Sequence, residues 1–107
     1  PAVSVAYLQE LTNPDGGTVK TNYGTVAAAL HLKTVPDGLL NHTAGFDHGA
    51  GVFRILDVWE SRAQGEKFIN ERLNPVLEKV MAAAENPRAL EPPSRESWYE
   101  LHDSMAG

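Results

Sequence analysis

With 107 residues, nine Lys and Arg against fourteen Asp and Glu and a net charge of −5, the chain has the length of one domain and repels a polyphosphate backbone. A second independent core is excluded by length, nucleic acid is disfavoured by charge, and the absence of Cys rules out disulfides, thiolate metal sites and a thiol nucleophile. No apolar run approaches the ~20 residues that span a bilayer, and Pro1–Gln9 has neither a basic flank nor a signal-type core, so the expectation is a cytoplasmic protein without membrane partners.

A free N-terminal proline acts as a base in some tautomerases, but removal of an initiator Met before a small residue is the simpler account of Pro1. Val3, Val5 and Tyr7 alternate with Ser4, Ala6 and Leu8, which predicts a first strand that breaks at Asn13-Pro14-Asp15-Gly16-Gly17. Thr18 is positioned as a cap, and Val19, Tyr23, Val26, Ala27 and Leu30 recur at helical spacing, with Tyr23 on the buried stripe. After the turn chemistry of Val35-Pro36-Asp37-Gly38, Leu39 to Phe46 reads as a second strand with Leu40, His42, Ala44 and Phe46 on one face. Asp47-His48-Gly49-Ala50-Gly51 predicts a hairpin turn into a third strand from Val52 to Glu60.

Ser61 is a good N-cap for a helix over Arg62 to Ala84, in which Phe68, Ile69, Leu73, Val76, Leu77, Val80 and Met81 share a face. Pro75 predicts a kink or split near Asn74, because it lacks an amide proton and clashes with the preceding turn. Arg62, Glu66, Lys67, Glu71, Arg72, Glu78 and Lys79 read as the solvated side of this helix. A loop from Asn86 to Ser94 then leads into a last strand over Ser97 to His102.

The order βαββαβ predicts an α+β, ferredoxin-like fold: a four-stranded antiparallel sheet with two helices on one face. If Phe53, Ile55, Asp57 and Trp59 face the helices, then Val52, Leu56 and Val58 leave the opposite face apolar. A homodimer through the sheets follows as an expectation.

Gly38-Leu39-Leu40-Asn41-His42, Asp57-Val58-Trp59-Glu60-Ser61, Phe68 and Arg72-Leu73-Asn74-Pro75 together resemble the antibiotic-biosynthesis-monooxygenase-like branch of the dimeric α+β barrel superfamily, over roughly Val3 to His102. That resemblance implies a dimeric α+β barrel and a pocket between sheet and helices in each protomer. The pocket would be walled by Tyr7, His42, Asp57 and Trp59 from the strands and by Tyr23 and Phe68 from the helices. It also implies one of several activities: cofactor-independent oxygenation of polyketide quinols, haem degradation, isomerisation or cyclisation, or no reaction. Haem-degrading members place an axial His on the following helix where this chain has Phe68, Ile69 and Asn70, which disfavours haem.

His42 is the candidate acid or base, since imidazole titrates near neutrality; the alternative is a hydrogen-bonded structural His. Asp57, facing His42 across the hairpin, would orient it, or else is a rim charge. Trp59 stacks on an aromatic substrate or simply fills the core, Phe68 stands as the pocket wall that the resemblance implies, and Tyr7 and Tyr23 hold a substrate oxygen or a backbone carbonyl. His31, His48 and His102 match no metal-ligand spacing, and no glycine-rich phosphate loop follows a strand, so neither a metal nor a cofactor is expected. Two functions remain open: a cofactor-free enzyme of an aromatic or polyketide-like metabolite, and a non-catalytic dimeric ligand-binding or accessory protein.

Overall fold

The computed structural model describes residues 4–12, 17–83 and 93–103 of the chain. Pro1, Val3, the break at 13–16 and most of the loop before the last strand lie outside these residues, as do the side chains of Thr18 and Val19. The described elements are β1 (Val5–Thr12), α1 (Gly17–Leu30), β2 (Leu39–Asp47), β3 (Val52–Trp59), α2 (Arg62–Phe68), a π-wound turn (Ile69–Leu73), α3 (Asn74–Ala83) and β4 (Arg95–Glu100). The strands form one sheet in the order β2-β3-β1-β4, with every neighbouring pair antiparallel. This is the expected ferredoxin-like arrangement, with β4 beginning two residues earlier than its aromatic run suggests. No helix among the described residues is long and apolar enough to cross a membrane.

Strand alternation sorts the sheet into two faces. On the helix side, Val5, Tyr7 and Trp59 form a buried cluster packed by Leu39, Phe68, Ile69 and Trp98. Phe53 is buried on the same side, edge-on to Phe46 at a centroid distance of 4.8 Å. Gly65 lets α2 descend onto this cluster: a Cβ there would sit 2.8 Å from the Trp98 ring and 3.0 Å from the Trp59 ring. Only a residue without a side chain permits so close an approach.

Two local expectations change in detail. The regular alternation expected through Leu40 is interrupted, because the β2–β3 register shifts between Leu39 and Asn41. Leu40 is left as the extra residue and is 53% exposed, while Leu39 is brought opposite Trp59. Such a bulge bends the strand, and here it lets Leu39 cover the indole. The break at Pro75 takes the form of a change of winding: the Asn74 amide donates to the Ile69 carbonyl five residues back. Pro75 then falls in the first turn of α3, where a missing amide proton costs least. Ser61 caps α2 as expected, its Oγ accepting from the Gln64 amide at 3.2 Å and donating to Gln64 Oε1 at 2.9 Å.

The opposite face is less uniformly apolar than Val52, Leu56 and Val58 suggest. Arg54 stands between them, donating through Nε to buried Glu10 at 3.0 Å and through Nη1 to Asp47. Arg95 reaches the other Glu10 oxygen at 3.3 Å. The hydrogen bond from Arg54 holds the Asp47 carboxyl below its ordinary range. The face is thus divided into an apolar end, with Ala6, Leu8, Leu56, Val58 and Tyr99, and an ion-paired end.

Gly65→Ala is expected to lower stability by about 1–2 kcal/mol, because overpacking against two rings outweighs the helix preference of Ala. Gly24→Ala in α1, where a Cβ meets nothing within 4 Å, should instead raise stability by up to about 1 kcal/mol. Denaturant unfolding of the two variants beside the parent checks both signs.

Candidate functional site

The antiparallel register lays Trp98, Tyr7, Asp57 and His42 in one row across all four strands, on the face that packs the helices. His42 and Asp57 are direct partners on the hairpin, so their side chains meet without help from any other element. His42 Nδ1 is bonded to Asp57 Oδ1, and His42 Nε2 lies 2.6 Å from the Tyr23 hydroxyl on α1. The Tyr23 and His42 rings are nearly parallel, 4° apart, and Tyr23 leans on Phe53 at 5.3 Å. A hydrogen-bonded chain Tyr23–His42–Asp57 therefore runs from helix to sheet. Its His42 side chain is 40% exposed and its Asp57 side chain 18% exposed.

Burial pushes the Asp57 carboxyl above its ordinary range, and the bond from His42 offsets only part of that rise. Burial and then the Asp57 charge raise the Tyr23 phenol as well. Tyr7, directly opposite Asp57 on β1, turns its hydroxyl toward β4 and donates to Glu96 Oε2. Burial first, then the Glu96 bond and charge, push the Tyr7 phenol far up, so it stays protonated. Its ring stacks on Trp98 at 4.3 Å and 14°, and the Arg62 guanidinium lies 5.1 Å from the centroid of the same indole.

The structure thus brings together His42, Asp57 and Tyr23 and sets Tyr7 beside them. Trp59 and Phe68 pack against each other at 5.7 Å, with Trp59 2% exposed and its indole Nε1 without a hydrogen-bond partner among the described residues. A shallow depression of about 280 Å³ lies elsewhere, lined by Thr43, Ala44, Gly45, Phe46, Asp47 and Arg54 along β2 and β3. His31 ends α1 at φ 49° and His48 stacks on Phe46. No group of three or more His, Asp or Glu gathers among the described residues.

Three residues beside the site escaped the sequence reading. Glu96 precedes the aromatic run by which β4 was recognised, although alternation from Trp98 places it on the same face. Trp98 reads in the sequence only as part of that run. Arg62 reads in the sequence as part of the solvated side of its helix, whereas it covers Trp98 while also pairing with Glu66 at 2.7 Å.

No protein-family model matches the chain, and no curated protein matches it in sequence. Solved structures match over nearly its whole length. A protein of unknown function from Nitrosomonas europaea is 18% identical with a TM-score of 0.65, covering 99% of this chain and 96% of its own. A variant of SnoaB, a cofactor-independent oxygenase from Streptomyces nogalater, is 12% identical with a TM-score of 0.64, covering 99% and 100%. A protein from Chloroflexus aurantiacus named provisionally as an antibiotic biosynthesis monooxygenase is 11% identical with a TM-score of 0.64, covering 96% and 97%. At these identities the likeness is one of architecture, and function does not travel with it. The strand order, the helices on one face and these neighbours agree on one conclusion: the chain has a ferredoxin-like α+β fold, the architecture it shares with these solved structures.

Proposed function

We propose that the protein is a cofactor-free enzyme of the monooxygenase-like type, acting on an aromatic or polyketide-like metabolite in the cytoplasm. The observation that carries this reading is the Tyr23–His42–Asp57 chain, in which both imidazole nitrogens are engaged and one end is a desolvated carboxylate. Such a chain holds a proton acceptor in fixed orientation at a partly exposed face, which is what abstraction from a phenolic or enolic hydroxyl requires. Loss of that proton leaves an electron-rich anion. In an oxygenase the anion reacts with dioxygen directly, and in an isomerase or cyclase it is reprotonated or closes a ring. The fold shared with a cofactor-independent oxygenase supports the first outcome.

A non-catalytic ligand-binding or accessory role is the second reading. It is favoured by one observation, the packing of Trp59 into the core rather than against an open cavity. Oxygen uptake with a panel of hydroquinones and naphthols separates the two. The enzyme reading expects uptake above the uncatalysed rate, reduced at least about tenfold in His42→Ala. Unchanged turnover in that variant overturns it, and binding without uptake by any panel member supports the accessory role.

We also propose a homodimer through the open sheet face, whose apolar end around Leu8, Leu56 and Val58 is only partly covered within one chain. Light scattering at micromolar concentration should give twice the chain mass, and Leu56→Asp should give a monomer. A monomeric parent protein refutes this.

Burial of Asp57 also has a sign that can be checked. Its folded pKa lies above its unfolded value. Its contribution to stability is therefore fully present below about pH 4, the unfolded value, and is lost as pH rises through the folded one. Urea midpoints of the parent and Asp57→Asn, compared from about pH 3.5 to 7, should shift in favour of the variant as pH rises. A constant difference contradicts the assignment.

A further inference from the structure

We infer that the atom of this site that meets substrate is the second carboxylate oxygen of Asp57, and that the site selects an uncharged hydroxyl-bearing ligand, a phenol or enol, over an anion. The inference rests on the reading of the Tyr23–His42–Asp57 chain as a small-molecule site. It reverses the roles that the residue types alone suggest, in which His42 touches substrate and Asp57 orients it.

An imidazole has two nitrogens, and both are occupied: Nε2 by the Tyr23 hydroxyl at 2.6 Å and Nδ1 by Asp57 Oδ1. A ligand reaches His42 only by displacing one of them. When the imidazole donates Nδ1–H to the carboxylate, its Nε2 accepts, and the one proton of the Tyr23 phenol is directed along the chain. Burial and the neighbouring carboxylate hold that phenol in its protonated form, which makes it a poor acceptor. The Asp57 carboxylate is different. One oxygen is bound to His42, and the other forms no hydrogen bond with the protein among the described residues. The side chain keeps 18% of its surface exposed, so the group can be approached. Desolvation also makes this carboxylate a stronger base than one on the surface.

The surroundings decide the charge of the ligand. Tyr7 stands opposite Asp57, and beyond it lies the Glu96 carboxylate. No described Lys or Arg pairs with Asp57: Arg62 is committed to Glu66 and Trp98, and Arg72 reaches toward the Leu30 carbonyl at 3.5 Å. An anionic ligand would meet two carboxylates without a countercharge. A neutral hydroxyl donates to Asp57 Oδ2 in a charge-assisted hydrogen bond. Asp57 is then the catalytic residue, while His42 and Tyr23 are positioning residues.

Equilibrium binding of 2-naphthol, 2-methoxynaphthalene and 2-naphthoate to the full chain at neutral pH tests this, followed by tryptophan fluorescence or calorimetry. The expected result is that 2-naphthol binds at least about tenfold tighter than either analogue, since one lacks the donor and the other carries the wrong charge. Asp57→Asn should erase the preference for 2-naphthol over 2-methoxynaphthalene, with a thermal melt establishing that it is folded. In Tyr23→Phe the preference should persist even where overall affinity drops. Equal binding of the three probes by the parent protein overturns the inference without need of a variant. So does a preference that survives in Asp57→Asn or vanishes in Tyr23→Phe, and these outcomes leave the small-molecule site standing. If none of the probes binds the parent protein, the small-molecule reading of the site falls, and this assignment falls with it.

Discussion

One row of the sheet, Trp98, Tyr7, Asp57 and His42, is the constraint on which the remaining arrangement depends. Four side chains from four strands share a face only because three antiparallel registers agree. A slip of one residue in any of them would send its member of the row to the other side. The hairpin secures the first register: Asp47 Oδ1 accepts from the Ala50 amide at 3.1 Å and Gly51 takes a positive φ of 67°. The packed end of the sheet secures the others, where Val5 lies opposite Trp59 and α2 rests on the indoles through Gly65. The bulge at Leu40 reconciles the two ends of the hairpin. It absorbs one residue, so that Leu39 covers Trp59 while His42 still faces Asp57.

The two faces handle charge in contrasting ways. On the open face, Glu10 is buried but receives Arg54 and Arg95, so its charge is met by two guanidinium groups. On the helix face, Asp57 is half-buried beside an imidazole and a phenol, and its charge is met by a hydrogen bond with His42 rather than by an Arg or Lys among the described residues. A carboxylate so placed is held above its ordinary protonation range, whereas Asp47 on the open face, bonded by Arg54, is held below it. Tyr7 beside Asp57 shows the complementary arrangement, a phenol held in its protonated state by burial first and then by a neighbouring carboxylate.

Much of this was legible in the residues, and the exceptions have physical causes. Alternation in β3 placed Asp57 and Trp59 on one face, and the short Asp47–Gly51 turn allowed His42 to stand opposite Asp57. The first is a local consequence of strand geometry, while the second left a rim position for Asp57 equally open, which the register decides. Ser61 was legible because capping needs only the residue and the amide three positions on. The Leu40 bulge was not, since an extra residue is dictated by what must cover Trp59 and leaves no mark on periodicity. Nor was the engagement of Tyr23 with His42: helical spacing put Tyr23 on the buried side of α1, but how far that helix lies from the sheet is a tertiary quantity. The role of Arg54 between Val52 and Leu56 is not legible locally, because its partners, Glu10 and Asp47, come from other strands.

The π-wound turn at Ile69–Leu73 gives the site a dependence on helical phase. Each residue of an α-helix advances the chain by about 100°, and the π turn accommodates one residue more than α winding would at the same axial height. Everything after it is therefore rotated relative to α2. Arg72, within the turn, reaches the Leu30 carbonyl and so touches the C-terminal end of the helix that carries Tyr23. Loss of a single residue from this turn would re-phase α3 against α1 without disturbing the sheet. The Trp98, Tyr7, Asp57 and His42 row would survive intact, while Tyr23, the one member of the hydrogen-bonded chain carried on a helix, would lose its alignment.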